Sequence, residues 1–232
     1  MAGRVAYYGQ SVQDGAVLRL DAGKRDSYPG TGTIWRDLSG KQNNGTLLNS
    51  PTFNNTNGGI LRFDGVDDYC LNSISSGFTQ KLTVITIAKS TNATWNQYAG
   101  LGSARVNNGY IIHNNYPSVT SVTFYVIGST GGYTDIGSVT PSNITNYNFY
   151  ALTTNGTNSH KRYLNGALIG TSTTAITRTD TNSSQGNWLA SDSGVAGRFN
   201  AVSIGIHLIY NRELSSDEIL QTYNAYKTRF EM

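Results

Sequence analysis

Lys161-Arg162-Tyr163-Leu164-Asn165-Gly166-Ala167-Leu168-Ile169-Gly170-Thr171 is the stretch that decides the fold class. Asn165-Gly166 is a strong short hairpin signal. A two-residue turn of type I′ needs φ > 0 at both central positions, and Asn and Gly adopt it most readily. Two runs of strand length, 161–164 and 167–171, flank the turn. Outward from this hairpin the same rhythm continues. Runs rich in β-branched and aromatic residues recur about every ten residues, separated by Gly, Asn, Asp, Ser or Pro. Upstream they fall at 17–20, 33–35, 60–63, 69–72, 82–89, 99–104, 110–113, 121–127 and 148–154, and downstream at 187–190 and 202–210. The run Leu82-Thr83-Val84-Ile85-Thr86-Ile87-Ala88 is mostly β-branched, as a central strand would be. The rhythm predicts an all-β, two-sheet antiparallel sandwich.

Beyond Tyr210 the period changes. Ser215 and Glu218 have the spacing of a capping box, in which each side chain bonds the other's backbone N–H, and Leu214 and Ile219 stand where a hydrophobic staple packs. Ile219, Leu220, Tyr223, Tyr226 and Phe230 then fall on one helical face. Lys227 and Arg229 occupy the last turn, where cations are favoured. A helix over 216–230 follows, with Phe230 anchoring its far end. Residues 16–232 are expected to form one domain. Residues 1–15, which include Val5-Ala6-Tyr7-Tyr8, are expected to be a docking arm or an edge strand.

Composition agrees with many short strands. The chain has 26 glycines and 15 tyrosines in 232 residues, and only 13% of it is charged, against roughly 25% in an average domain. The net charge of +3 is spread without a basic stripe, so nucleic acid is not an expected partner. Cys70 is the single cysteine, which excludes an intrachain disulfide and suits it to packing as a small hydrophobe. Met1-Ala2-Gly3-Arg4 does not open a secretory signal, and no apolar run approaches the ~20 residues of a membrane-spanning helix. These features predict a protein made in a cytoplasm, with no membrane partner.

Three groups of residues carry a resemblance. Trp35-Arg36-Asp37-Leu38-Ser39-Gly40, Asn43-Asn44-Gly45-Thr46-Leu47 and Phe63-Asp64-Gly65-Val66-Asp67-Asp68-Tyr69 resemble the N-terminal signature of laminin-G-like, concanavalin A-like jelly-roll domains. Tyr163-Leu164-Asn165-Gly166 is similar to that fold's hairpin. Ile209-Tyr210-Asn211-Arg212-Glu213-Leu214-Ser215, with Glu218-Ile219 and Lys227-Thr228-Arg229-Phe230, most resembles the form found in bacteriophage virion proteins, notably cyanophage ones. The resemblance runs from residue 17 to residue 230. It implies a structural or decorating protein displayed on a phage capsid or tail, reached from the host cytoplasm by assembly. Its implied partners are other virion proteins, in an oligomer or docked, and host-surface glycans. The alternative is a free carbohydrate-binding lectin or adhesin of bacterial origin. Residues 91–142 match no motif, and a binding face specific to this chain would diverge there.

Candidate chemistry is sparse. Retaining glucanases on this fold carry Glu-x-Asp-x-x-Glu on one strand, so that alternation aims the carboxylates at one face. Here the only glutamates are Glu213, Glu218 and Glu231, and Ser215 stands where that motif needs Asp. No enzymatic activity is expected. Asp64, Asp67 and Asp68 form the densest acidic cluster, which reads as a calcium site or, more simply, as an Asp-Gly turn whose carboxylates bond local backbone. His113, His160 and His207 lie far apart, and His207 sits in an apolar strand as a hydrogen-bonding residue. The strongest binding signal is aromatic. Trp95, Tyr98, Tyr110, Tyr116, Tyr125 and Tyr133, together with Trp188, lie among Asn, Gln, Thr and Ser, a mixture that binds sugar rings or builds protein interfaces.

Overall fold

A computed structural model describes residues 9–75, 77–91, 99–114, 120–180, 185–192 and 198–232. In chain order the strands are β1 (Ala16–Asp21), β2 (Ile34–Trp35), β3 (Gly45–Leu48), β4 (Thr52–Asn54), β5 (Ile60–Asp64), β6 (Tyr69–Ile74), β7 (Leu82–Ser90), β8 (Ala99–Ala104), β9 (Tyr110–Asn114), β10 (Val122–Ile127), β11 (Tyr133–Val139), β12 (Asn148–Thr154), β13 (His160–Leu164), β14 (Ala167–Ser172), β15 (Gln185–Leu189) and β16 (Ala201–Tyr210). Helix α1 (Ser216–Phe230) closes the chain. The first sheet runs β14-β13-β12-β7-β16-β5-β4, with β1 pairing the far half of β16. The second runs β11-β10-β9-β8-β15-β6-β3-β2. The named strand pairs are antiparallel, as expected for the sandwich.

Two apolar layers hold this arrangement. Leu18, Trp35, Phe63, Val84, Tyr110, Phe124 and Leu152 pack between the sheets. On the other face of the first sheet, Ile85, Ile87, Phe149, Ile206 and Leu208 meet Ile219, Tyr226 and Phe230 of α1. Strand β7 is thus covered on both sides, which is why its sequence is continuously β-branched rather than alternating. Burying side chains the size of Ile219 and Phe230 contributes roughly 1.5–3 kcal/mol each.

The local signals act as their chemistry requires. Asn165 and Gly166 have φ of 49° and 80°, the two positive values of the expected turn. Ser215 accepts from the Glu218 N–H at 3.2 Å while Glu218 accepts from the Ser215 N–H at 2.9 Å, so the capping box is complete. Phe230 is buried against Gly205, where an added Cβ would lie 2.3 Å from its ring. Asp37 of the first signature is a junction. Its two oxygens accept from the N–H groups of Arg19, Ser39 and Asn43, tying β1 to the loop that follows β2.

Three strands lack a signal in the sequence: β3, β4 and β11. The first two are short, and β11 carries a bulge, with Ile136 the extra residue opposite the Phe124–Tyr125 step of β10 and Gly137 at φ 105° next to it. Of the stretch expected to dock or to form an edge strand, residues 1–8, with Val5-Ala6-Tyr7-Tyr8, lie outside the described residues. Residues 9–15 form no strand. They lie along α1, with the Tyr210 hydroxyl donating to Val12 O at 2.8 Å and Gln221 donating to Gln10 O at 3.1 Å.

Candidate functional site

Alternation along the second sheet separates core from outer face. Tyr110 and Ile112 of β9 and Phe124 and Val126 of β10 face the first sheet. Ile111, His113 and Tyr125, interleaved with them, face away from it. There, together with Arg105 just past β8 and Tyr133 at the start of β11, they line a pocket of about 190 Å³. The rings of His113 and Tyr125 meet edge to face at 5.5 Å between centroids. The Arg105 guanidinium lies 5.5 Å from the centre of the Tyr133 ring. Tyr133 is 52% exposed, so one aromatic wall is open to solvent. Trp188 is half-buried on the same outer face, its neighbours Asn187 and Leu189 being buried on the core side.

The pocket rests on a buried carboxylate. Asp192, fully buried just past β15, pairs with Arg105 and, at 3.2 Å, with Arg198. Ser103 donates to it at 3.1 Å, and His113 Nε2 stands 3.7 Å away. Burial by itself would raise the Asp192 pKa. The hydrogen bonds and charges of His113 and Arg105 outweigh burial and hold it below the ordinary carboxylate range. Burial likewise opposes the charge on Arg105, and Asp192 more than offsets this, so the guanidinium stays charged. Asp192 therefore serves as a counter-ion that orients two arginines. What remains for a ligand is an aromatic and aliphatic surface beside guanidinium donors.

The aromatic candidates separate into three sets. Tyr125 and Tyr133 come together at this pocket. Tyr110 does not reach the surface and is corrected to a core residue: it is 0% exposed, and its hydroxyl donates to Asn187 Oδ1 between the sheets. Trp95, Tyr98 and Tyr116 lie outside the described residues. Arg105, Ile111, Asp192 and Arg198 gave no signal in the sequence, because nothing in their spacing shows that β8, β9 and the end of β15 meet.

The acidic cluster is a turn. Asp64 Oδ1 accepts from Val66 N at 2.8 Å, Asp68 Oδ2 accepts from Asp64 N at 3.1 Å, and Gly65 has φ of 81°. The three carboxylates lie within 4.8 Å of one another. Burial, then the charges of Asp64 and Asp67, raise the Asp68 pKa. Two of the three already serve the turn by accepting from its backbone N–H groups. His207 is a core residue, with Nδ1 at 2.9 Å from the Thr86 hydroxyl and Nε2 at 3.2 Å from the Tyr110 hydroxyl.

Two antiparallel sheets in a sandwich, with a pocketed outer face and one closing helix, define a lectin-like jelly roll. The chain belongs to the concanavalin A-like lectin/glucanases superfamily, whose family model matches residues 25–220. No curated protein matches the sequence. Among solved structures, the fold is similar to the botulinum neurotoxin serotype D binding domain, with a TM-score of 0.67 and 16% identity over 92% of this chain and 52% of that one. It is also similar to the botulinum neurotoxin type G receptor binding domain (TM-score 0.65, 15% identity, 90% and 51% covered). A third is the binding domain of Paraclostridial Mosquitocidal Protein 1 (TM-score 0.65, 18% identity, 92% and 53% covered). The chain spans about half the length of these structures. At such identities the likeness is one of fold.

Proposed function

We propose that this chain is a non-catalytic recognition module that binds a glycan at the outer face of its second sheet, and that it does so on a bacteriophage particle. The observation that carries the binding reading is the pocket of Tyr125, Tyr133 and Ile111 beside Arg105 and His113. A pyranose ring presents an apolar face and an equatorial rim of hydroxyls. Aromatic rings take the first, and the Arg105 guanidinium bonds the second. The similarity to receptor-binding domains favours recognition over catalysis. So does the placement of the glutamates: Glu213 pairs with Lys161 at 2.9 Å, Glu218 is occupied by Arg212 and the cap of α1, and Glu231 ends the helix. None of them lies on a strand.

The virion setting rests on the phage-like closing stretch from Ile209 to Phe230. Attachment to other virion proteins, or to a second copy, is favoured by β14, an edge strand carrying Leu168 and Ile169 at 49% and 37% exposure. A free bacterial lectin would use the same pocket in another setting. The test is to probe an array of bacterial surface polysaccharides with purified protein, and in parallel to fractionate particles on density gradients with an antibody to this chain. Saturable glycan binding together with co-migration supports the reading. Binding without co-migration leaves the lectin alternative, and a blank array overturns the site.

A further inference from the structure

A second cavity, of about 450 Å³, lies on the opposite side of the molecule, between residues 9–13, strand β1 and the second half of α1. Its charge is one-sided. Arg19, Lys24 and Arg229 line it, against the single carboxylate of Asp21. That carboxylate is already engaged, with Arg229 Nη1 at 2.6 Å and the Gly23 N–H at 2.9 Å on the same oxygen. The Arg19 guanidinium donates to Gln13 Oε1 and to Ser11 Oγ, which fixes its plane, while its Nε is buried with no hydrogen-bond partner among the described residues. Lys24 is exposed and makes no ion pair among the described residues. The wall is completed by neutral polar groups, Ser11, Gln13 and the hydroxyl-bearing ring of Tyr226. In a chain with 13% charged residues, three cations around one cavity make a concentrated positive site.

We infer that this cavity binds a small molecule bearing an oxyanion ester, a sulfate or phosphate carried on a polar body of monosaccharide size. An oriented guanidinium matches the oxygen geometry of such a group, and Lys24 adds a mobile point charge at the mouth. The volume exceeds what a bare oxyanion fills and lies in the range of small-ligand sites. The inference is separate from the glycan pocket, since the two lie on different sheets and share no residue.

The test is calorimetric titration of the full chain with glucose 6-sulfate, with glucose 6-phosphate and with glucose. Saturable 1:1 binding of one or both esters, with glucose silent, is expected, and the tighter ester identifies the oxyanion. Lys24→Glu, at an exposed side chain that makes no ion pair among the described residues, should weaken binding at least tenfold with an unchanged circular dichroism spectrum. Raising the salt from 50 to 300 mM should weaken it further, and Tyr133→Ala should leave it unchanged. Silence with both esters, equal binding of glucose, or an unaltered affinity in Lys24→Glu would each overturn the inference. Loss in Tyr133→Ala would move the site to the other sheet and overturn it as well.

Discussion

Lowering the pH from 7.5 to 5.0 should destabilise the protein by about 2 kcal/mol through His207 alone. His207 is fully buried between the sheets in a chain of hydrogen bonds. The Thr86 hydroxyl can donate to its Nδ1, its Nε2 proton faces Tyr110, Tyr110 donates to Asn187, and Asn187 donates to Asn72 at 2.7 Å. Burial opposes a charged ring there and lowers the pKa from 6.5 to about 3. In the unfolded chain the ring titrates near its ordinary value. Between those two values the unfolded state binds one proton more than the folded state, so stability falls as pH falls. The stabilisation is fully present above pH ~6.5 and is lost at up to ~1.4 kcal/mol per pH unit below it. The assay is urea unfolding of the wild type and of His207→Gln at both pH values. Burial also lowers the His160 pKa, so some loss persists in the variant. The difference between the two proteins isolates His207. Equal losses in both proteins would show that His207 does not carry the pH dependence.

Other substitutions probe the remaining supports. Arg178 is 2% exposed and donates to the carbonyls of Gln80, Gly109, Ile127, Thr79 and Asn108, binding three loops at one end of the sandwich. Its burial lowers the pKa to about 9. Arg178→Met should cost about 3–5 kcal/mol in denaturant melts, because buried carbonyls are left unpaired, and Arg178→Lys should not restore it, since an ammonium cannot span the set. Ser215→Ala should cost about 0.5–2 kcal/mol through loss of the helix cap, read as a shift in the urea midpoint. Gly205→Ala should lower the thermal midpoint and weaken protection of α1 in hydrogen exchange, since the new methyl would lie 2.3 Å from the Phe230 ring.

Much of the fold is legible in the sequence because its signals are local. The Asn165-Gly166 turn, the Ser215–Glu218 box and the β-branched run of β7 each act through neighbours within a few residues. The turn at Asp64 is equally local, whereas Asp37 also reaches the Arg19 N–H eighteen residues back, and both carboxylates hold backbone in place. That explains why such motifs report fold better than role. The pocket is different. Arg105, Ile111, His113, Tyr125, Tyr133 and Asp192 come from several strands, and their meeting depends on sheet order, which no local signal encodes. Tyr110 shows the same limit from the other side. Its composition-level context equals that of Tyr125, yet strand alternation sends it into the core. Arg178 gave no signal at all, because its partners are backbone carbonyls and carry no residue identity.

On the reading proposed above, the Tyr133 pocket binds a sugar ring. Its most direct test is calorimetric titration of the full chain with a purified surface oligosaccharide selected on the array, comparing the wild type with Tyr133→Ala and Arg105→Met. Loss of an aromatic stacking wall worth about 0.5–1.5 kcal/mol should weaken binding roughly two- to twelvefold in Tyr133→Ala. Arg105→Met should weaken it at least as much, with the folded circular dichroism spectrum retained in both variants. An oligosaccharide that binds both variants as tightly as the wild type would show that the sugar does not sit in this pocket.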